Sequence, residues 1–319
     1  MSPIVESGHT DIGPPAPPPE KSALGFFFVL MILYVGLGAT AQALHPVAGL
    51  LWTEFFVFLL PPAIAAAGSN LLPAPFLRLS RRPSARQMWL GAASGLALFL
   101  AAGGIMSLTS QLLPRSWVEL FDVTRLFEGS KRHQLGMALV ASVLAPFAEE
   151  VAFRGYVLSA LRTRLPAGAA IVGSAVLFAS MHLDPVRFPA VLFLGLFLGW
   201  FAWRSGSIWP AVVAHGVNNG LGSAIAVASD TDAGEGSLAA SLVILALGLG
   251  ALAPLAVAWV RATPEPPASS SEILRRDAND PSTRFRFAGV PAGWRALAAL
   301  GVLLYLALGV LRYLQDGRR

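Results

Sequence analysis

Long apolar runs separated by short polar stretches set the pattern of this chain. The runs cover about Ala23–Leu44, Val47–Ala67, Met88–Leu113, Leu135–Leu161, Ala167–His182, Phe188–Trp203, Ile208–Ala228, Leu238–Val260 and Trp294–Leu314. Most are close to the ~20 residues that a helix needs to cross the hydrocarbon of a bilayer. The pattern predicts an all-α fold, a polytopic membrane bundle of about eight or nine transmembrane helices around a polar intramembrane cavity. The runs at 167–182 and 188–203 are short for full crossings, which suits helices buried inside the bundle. His45-Pro46 makes a tight connection between the first two runs.

The polar stretches divide the chain. Residues 1–22 form a Pro-rich tail without a basic leader, so the run that follows reads as an anchor rather than a signal peptide. Residues 23–129 hold the N-terminal transmembrane helices and an interfacial segment. That segment, Pro114–Gln134, mixes charges with Trp117, Leu120, Phe121 and Leu126, as a helix lying in the interface does. Residues 130–230 form a core with the densest polar pattern. Residues 231–319 hold C-terminal helices and a polar loop at 261–293, preceded by the acidic loop 229–236.

Composition strengthens the membrane reading. Charged residues make up 13% of the chain, against about 25% in soluble proteins. That is too little to coat a soluble globule, and it argues against a nucleic-acid partner despite the net charge of +5. The basic residues are 21 Arg and 2 Lys. With the N-terminus inside, the inner loops hold 14 of them and the outer loops 8, the bias expected of a multi-pass protein of the cell (inner) membrane with a cytoplasmic N-terminus. Three of the outer eight lie in the C-terminal tail. Heavy Ala, Gly and Arg usage hints at a GC-rich bacterial genome. The absence of cysteine excludes disulfides, thiolate metal sites and a cysteine nucleophile.

Against this background a few polar residues stand inside apolar runs, where an ionisable group costs ~2.5–3.5 kcal/mol on insertion scales and is a functional candidate by default. Glu150 and Arg154 are spaced i,i+4 and share a helix face, so they can pair. Glu149 is rotated ~100° from Glu150 and points to a different neighbour. Phe178 and His182, and His215 and Asn219, are again i,i+4 pairs. Three helices thus each present a short polar stripe, and stripes of this kind turn inward. Glu149, His182, His215 and Asn219 are therefore expected in one pocket. There, Glu149 is suited to take a proton from water, with a histidine opposite to share that water. The other histidine and the asparagine amide are donors for a tetrahedral oxyanion. The set points to amide hydrolysis inside the membrane. Each residue alone has a plainer reading: a helix-locking salt bridge for Glu150–Arg154, an interfacial histidine at His182, interhelical hydrogen bonds for His215 and Asn218. Glu54, alone in the second run, is a further buried acid that either touches the cavity or, as its plainer reading, is paired or interfacial. The Trp residues at 52, 89, 117, 200, 203, 209 and 294 mostly fall near run ends, as an aromatic belt places them.

In this order, Glu149-Glu150-xxx-Arg154, Phe178-xxx-His182 and His215-xxx-Asn219 resemble the motifs of the CAAX protease and bacteriocin-processing (CPBP) family of intramembrane endopeptidases, whose eukaryotic members are the CAAX prenyl endopeptidases. The resemblance spans roughly residues 130–230. It implies that Glu149 and His182 activate the water, that His215 and Asn219 form the oxyanion hole, that Glu150–Arg154 is a structural pair, and that the enzyme is of the glutamate type. No cofactor is then expected. Zinc held by His182, His215 and one glutamate is the variant, without a His-Glu-x-x-His motif to support it. The partners implied are the bilayer and a membrane-associated protein or peptide substrate. A proton-coupled transporter would show paired discontinuous segments in two halves, whereas the polar cluster lies in the single stretch 149–219. A non-catalytic peptide-binding or immunity protein would need neither a base nor oxyanion donors.

Overall fold

The computed structural model describes residues 20–68, 73–228 and 237–263, with Leu300, Leu303 and Leu304. Most of the tail 1–22, the acidic loop 229–236, most of the loop 261–293 and nearly all of the run 294–314 lie outside the described residues. Eight longer helices account for the rest: α1 Ala23–Leu44, α2 Pro46–Ala67, α3 Ala85–Leu112, α4 Lys131–Leu161, α5 Ala167–Met181, α6 Phe188–Ser205, α7 Trp209–Ala228 and α8 Leu238–Ala262. No strand occurs among the described residues. The chain is an integral membrane protein. Seven of the helices are long and apolar enough to cross a bilayer. α5 is not, because its 15 residues span only about 22 Å.

Local chemistry sets the helix ends. Ser84 and Gln87 form a reciprocal capping box that starts α3 three residues before its apolar run. Ser130 accepts a hydrogen bond from His133 N–H and starts α4 at Lys131. The expected interfacial segment is therefore shorter than its sequence suggests. It consists of a turn of helix, Arg115–Leu120, and a 3-10 turn, Val123–Phe127, while Lys131–Gln134 belong to α4. Trp117, Leu120 and Leu126 are exposed on it. At the connection between α1 and α2, the His45 ring caps Ala48 N–H and Pro46 opens α2.

α3 is the central helix, packed on α6, α7 and α8. Small residues permit that approach. A Cβ on Gly95 would lie 2.5 Å from the Ala214 carbonyl oxygen, and one on Gly104 would lie 2.7 Å from Leu245 Cβ. α4 lies against α1, α2, α5 and α7, and its middle is the most completely buried part of the chain. Outward faces carry residues such as Phe28, Ile32, Leu242 and Leu247, which suits contact with lipid rather than water. Trp89 and Trp117 are exposed as a belt requires, but Trp52 is buried beside Phe56. Trp209 is also turned inward, stacking on Phe147 and donating to the Leu79 carbonyl.

The loop between α2 and α3 is tied down by Arg78, which adopts φ 58°. Its Nε donates to Ser159 Oγ at 3.0 Å and its carbonyl accepts from Ile208 N–H at 3.2 Å. Burial and the nearby Arg162 bring its guanidinium down to about 10, so it remains a cation at neutral pH. This one residue joins the ends of α4 and α7, the two helices that carry most of the site.

Candidate active site

Two breaks in α geometry bracket the glutamates of α4. Val140–Leu144 and Val151–Val157 are π-helical, with α-helical Ala145–Glu150 between them. Such bulges gather at functional sites. The first has a direct consequence. In the π register Ala145 N–H donates to the Val140 carbonyl. The next residue would donate to Ala141, but it is Pro146, which has no N–H. The Ala141 carbonyl is left open and accepts Asn219 Nδ2 at 3.1 Å. Gly216, one turn earlier in α7, allows the close approach, since a Cβ there would lie 2.9 Å from the Ser142 carbonyl oxygen. A proline in α4 thus holds an asparagine in α7. Only one of the two amide hydrogens is used, so the other remains free to donate.

Glu150 is fully buried and its Oε1 is shared. It accepts Arg154 Nη1 at 2.7 Å and lies 3.0 Å from His215 Nδ1. Arg154 is equally buried. Its Nη2 donates to the Gly195 carbonyl at 3.1 Å and its guanidinium lies 4.2 Å over the Phe178 ring. The expected Glu150–Arg154 pair is present, and it also orients a histidine. Because an ionised carboxylate only accepts, Glu150 fixes the proton on His215 Nδ1 and aims Nε2 toward Glu149, whose Oε2 is 3.7 Å away.

Phe178 joins the two histidines. Its ring meets His182 and His215 edge-on, at centroid distances of 5.1 and 5.7 Å. His182 Nδ1 lies 3.1 Å from the Phe178 carbonyl. A carbonyl can only accept, so this bond leaves His182 Nε2 bare as an acceptor. No hydrogen bond or ion pair joins Glu149 to His182 among the described residues; the close neighbour of Glu149 is His215. His182 stands where α5 ends, before Leu183 at φ 51°. Asp184 then accepts from the backbone of Val186 and Arg187 and pairs with the Arg187 side chain.

Six of the seven residues singled out in the sequence, Glu149, Glu150, Arg154, Phe178, His182 and His215, therefore lie on one connected set of contacts, while Asn219 bonds the backbone of α4 at Ala141. Glu149 has 16% of its side chain exposed, while its Oε2 is buried and has no hydrogen-bond partner. Asn218 departs from expectation: it donates to Asn219 Oδ1 at 3.0 Å rather than to another helix.

Sequence reasoning missed two neighbours, Tyr34 and Arg187, and singled out a third, Glu54. Glu54, expected to be paired or interfacial, is 3% exposed, makes no ion pair among the described residues, and keeps Oε2 buried without a partner. It lies within electrostatic reach of Glu149. Tyr34 of α1 is within reach of both glutamates, and Arg187 within reach of Tyr34, Glu149 and His182. A lone acid in an apolar run marked Glu54, whereas Tyr34 carries no signal and Arg187 reads as an ordinary loop cation. Among the described residues no three His, Asp or Glu side chains are placed to hold a metal ion. Between α2, α4 and the loop that joins α2 to α3 lies an apolar cavity of ≈ 410 Å³, lined in part by Phe55, Leu59, Phe147 and Val151, with no site residue in its lining.

Residues 131–221 match the model of the Rce1-like family, described as type II CAAX prenyl endopeptidase Rce1-like. The match runs from the first residue of α4 to two residues beyond Asn219, so it takes in every motif residue. No curated protein and no solved structure matches the chain.

Proposed function

We propose, with the Rce1-like match of residues 131–221 as the premise, that this chain is an intramembrane endopeptidase of the glutamate type. The reading rests above all on one observation: a partly accessible carboxylate, Glu149, with an unpartnered oxygen 3.7 Å from a histidine that a second, ion-paired glutamate orients. In this reading a water donates one hydrogen to Glu149 and the other to the bare Nε2 of His182. Glu149 takes the first proton as the water oxygen attacks the scissile carbonyl carbon. His215 Nε2–H and the free amide hydrogen of Asn219 stabilise the oxyanion. The C–N bond then breaks and the proton held by Glu149 passes to the leaving nitrogen. No metal takes part.

A membrane-anchored peptide tail that arrives from the bilayer is the substrate class in this reading. A quenched-fluorescence peptide ending in a farnesylated Cys-aliphatic-aliphatic-X sequence is the first probe, by analogy with the matched family. Glu149→Gln is expected to lower kcat/KM by about 10²–10⁴-fold, the usual worth of a general base, and His182→Ala to do likewise, with folding kept. Retained cleavage in both variants would sink the proposal, as would stoichiometric zinc in the purified protein that is lost together with activity. Comparing protein termini in membranes of wild-type and Glu149→Gln cells identifies the natural substrate.

A further inference from the structure

In the arrangement proposed above Glu149 returns a proton to the departing nitrogen, but no group accepts from the N–H that this nitrogen already carries. An acceptor for that N–H would hold the departing amine. From α7 come the His215 ring and the Asn219 amide as donors, and Asn218 Oδ1 there is buried without a partner. What α2 brings is an acceptor. The segment Glu54–Leu59 packs directly against Ala145–Glu150, and Glu54 opens that segment as a π-helical break, as Tyr34 opens the one in α1. The Glu54 side chain is buried, its Oε2 has no hydrogen-bond partner, and it lies within electrostatic reach of Glu149. Leaving a carboxylate oxygen buried and unbonded is costly, and native structures keep such groups where something outside the chain satisfies them. Tyr34 from α1 is within electrostatic reach of the same point. His215 stands on α7, 3.7 Å from Glu149, whereas Glu54 stands on α2, so the oxyanion donors and Glu54 come from different helices.

We propose that Glu54 is the residue that receives the leaving group, its carboxylate accepting a hydrogen bond from the scissile N–H and holding the amine while Glu149 returns its proton. This rests on the endopeptidase reading and extends it. The bookkeeping is unchanged: water loses one proton to Glu149, the C–O bond forms, the C–N bond breaks, and the nitrogen gains the proton from Glu149. Glu54 only accepts a hydrogen bond, from a group that exists in an amide and is missing from an ester.

That difference is the test. The full chain is assayed in detergent on two probes, the farnesylated peptide above and the same peptide with an ester at the scissile bond. For Glu54→Leu, kcat/KM on the amide is expected to fall about threefold to tenfold, the loss of one hydrogen bond, and to fall far less on the ester. Glu54→Gln, which keeps one acceptor oxygen, should fall between wild type and Glu54→Leu on the amide. Equal losses on both probes, or none on the amide, overturn the assignment. Removing an unbonded buried carboxylate should raise the thermal midpoint of Glu54→Leu, and a lowered midpoint counts against the assignment too. Failure of the endopeptidase reading looks different: cleavage would then survive Glu149→Gln, or wild type would cleave neither probe, and the role of Glu54 would fall with it.

Discussion

The Glu150–Arg154 pair offers the sharpest test of how the site is held. Both side chains are fully buried, 2.7 Å apart. Arg154→Met keeps an unbranched side chain but removes the cation. It leaves Glu150 facing only His215, removes the donor to the Gly195 carbonyl, and strips the cation from the face of Phe178. Breaking a buried pair from one side costs about 3–5 kcal/mol, because a charge stays behind without compensation. Glu150→Gln does the converse and should cost a similar amount. The double variant leaves neither charge stranded. If the two changes were independent, their sum would be roughly 6–10 kcal/mol. Since they share one interaction, the double variant should instead lie at least about 2 kcal/mol below the sum, within the range seen for directly coupled residues. Unfolding free energies from SDS titration in mixed micelles, measured for wild type, both singles and the double, give that coupling. Additivity to within about 0.5 kcal/mol would refute the claim that these residues compensate one another.

Two further outcomes follow from backbone packing. Pro146→Ala restores an N–H that can claim the Ala141 carbonyl, so Asn219 should lose its anchor; kcat is expected to drop at least about tenfold, the order of one oxyanion donor displaced, while the thermal midpoint holds steady or rises. An unchanged kcat would remove Pro146 from the account of how Asn219 is placed. Gly95→Val pushes a side chain into the Ala214 carbonyl, 2.5 Å from where its Cβ would sit, and should destabilise the α3–α7 contact by about 1–3 kcal/mol, the common cost of overpacking; denaturant unfolding of the variant measures this directly.

Much of the chain was readable from its residues alone. Eight of the nine apolar runs are helices at nearly their expected limits, because apolar length and breaker residues are local properties. The i,i+4 pairs were equally local: a helix puts Glu150 and Arg154 on one face whatever surrounds it. Even the Pro146 break was visible as a residue, though its consequence was not. What the sequence could not contain is the rotation of one helix against another. Periodicity orders the faces around each helix but says nothing about which face meets which neighbour. So it could not tell that His215 docks on Glu150 as well as beside Glu149, that Asn219 bonds the backbone of α4, or that Asn218 turns to its own neighbour. Glu54 shows the same limit most clearly. Its sequence position reveals only a costly acid in an apolar run. That it stands buried where α2 packs on the Ala145–Glu150 segment, with an oxygen left unbonded, was decided by tertiary packing, because the periodicity of neither helix encodes which of its faces meets the other.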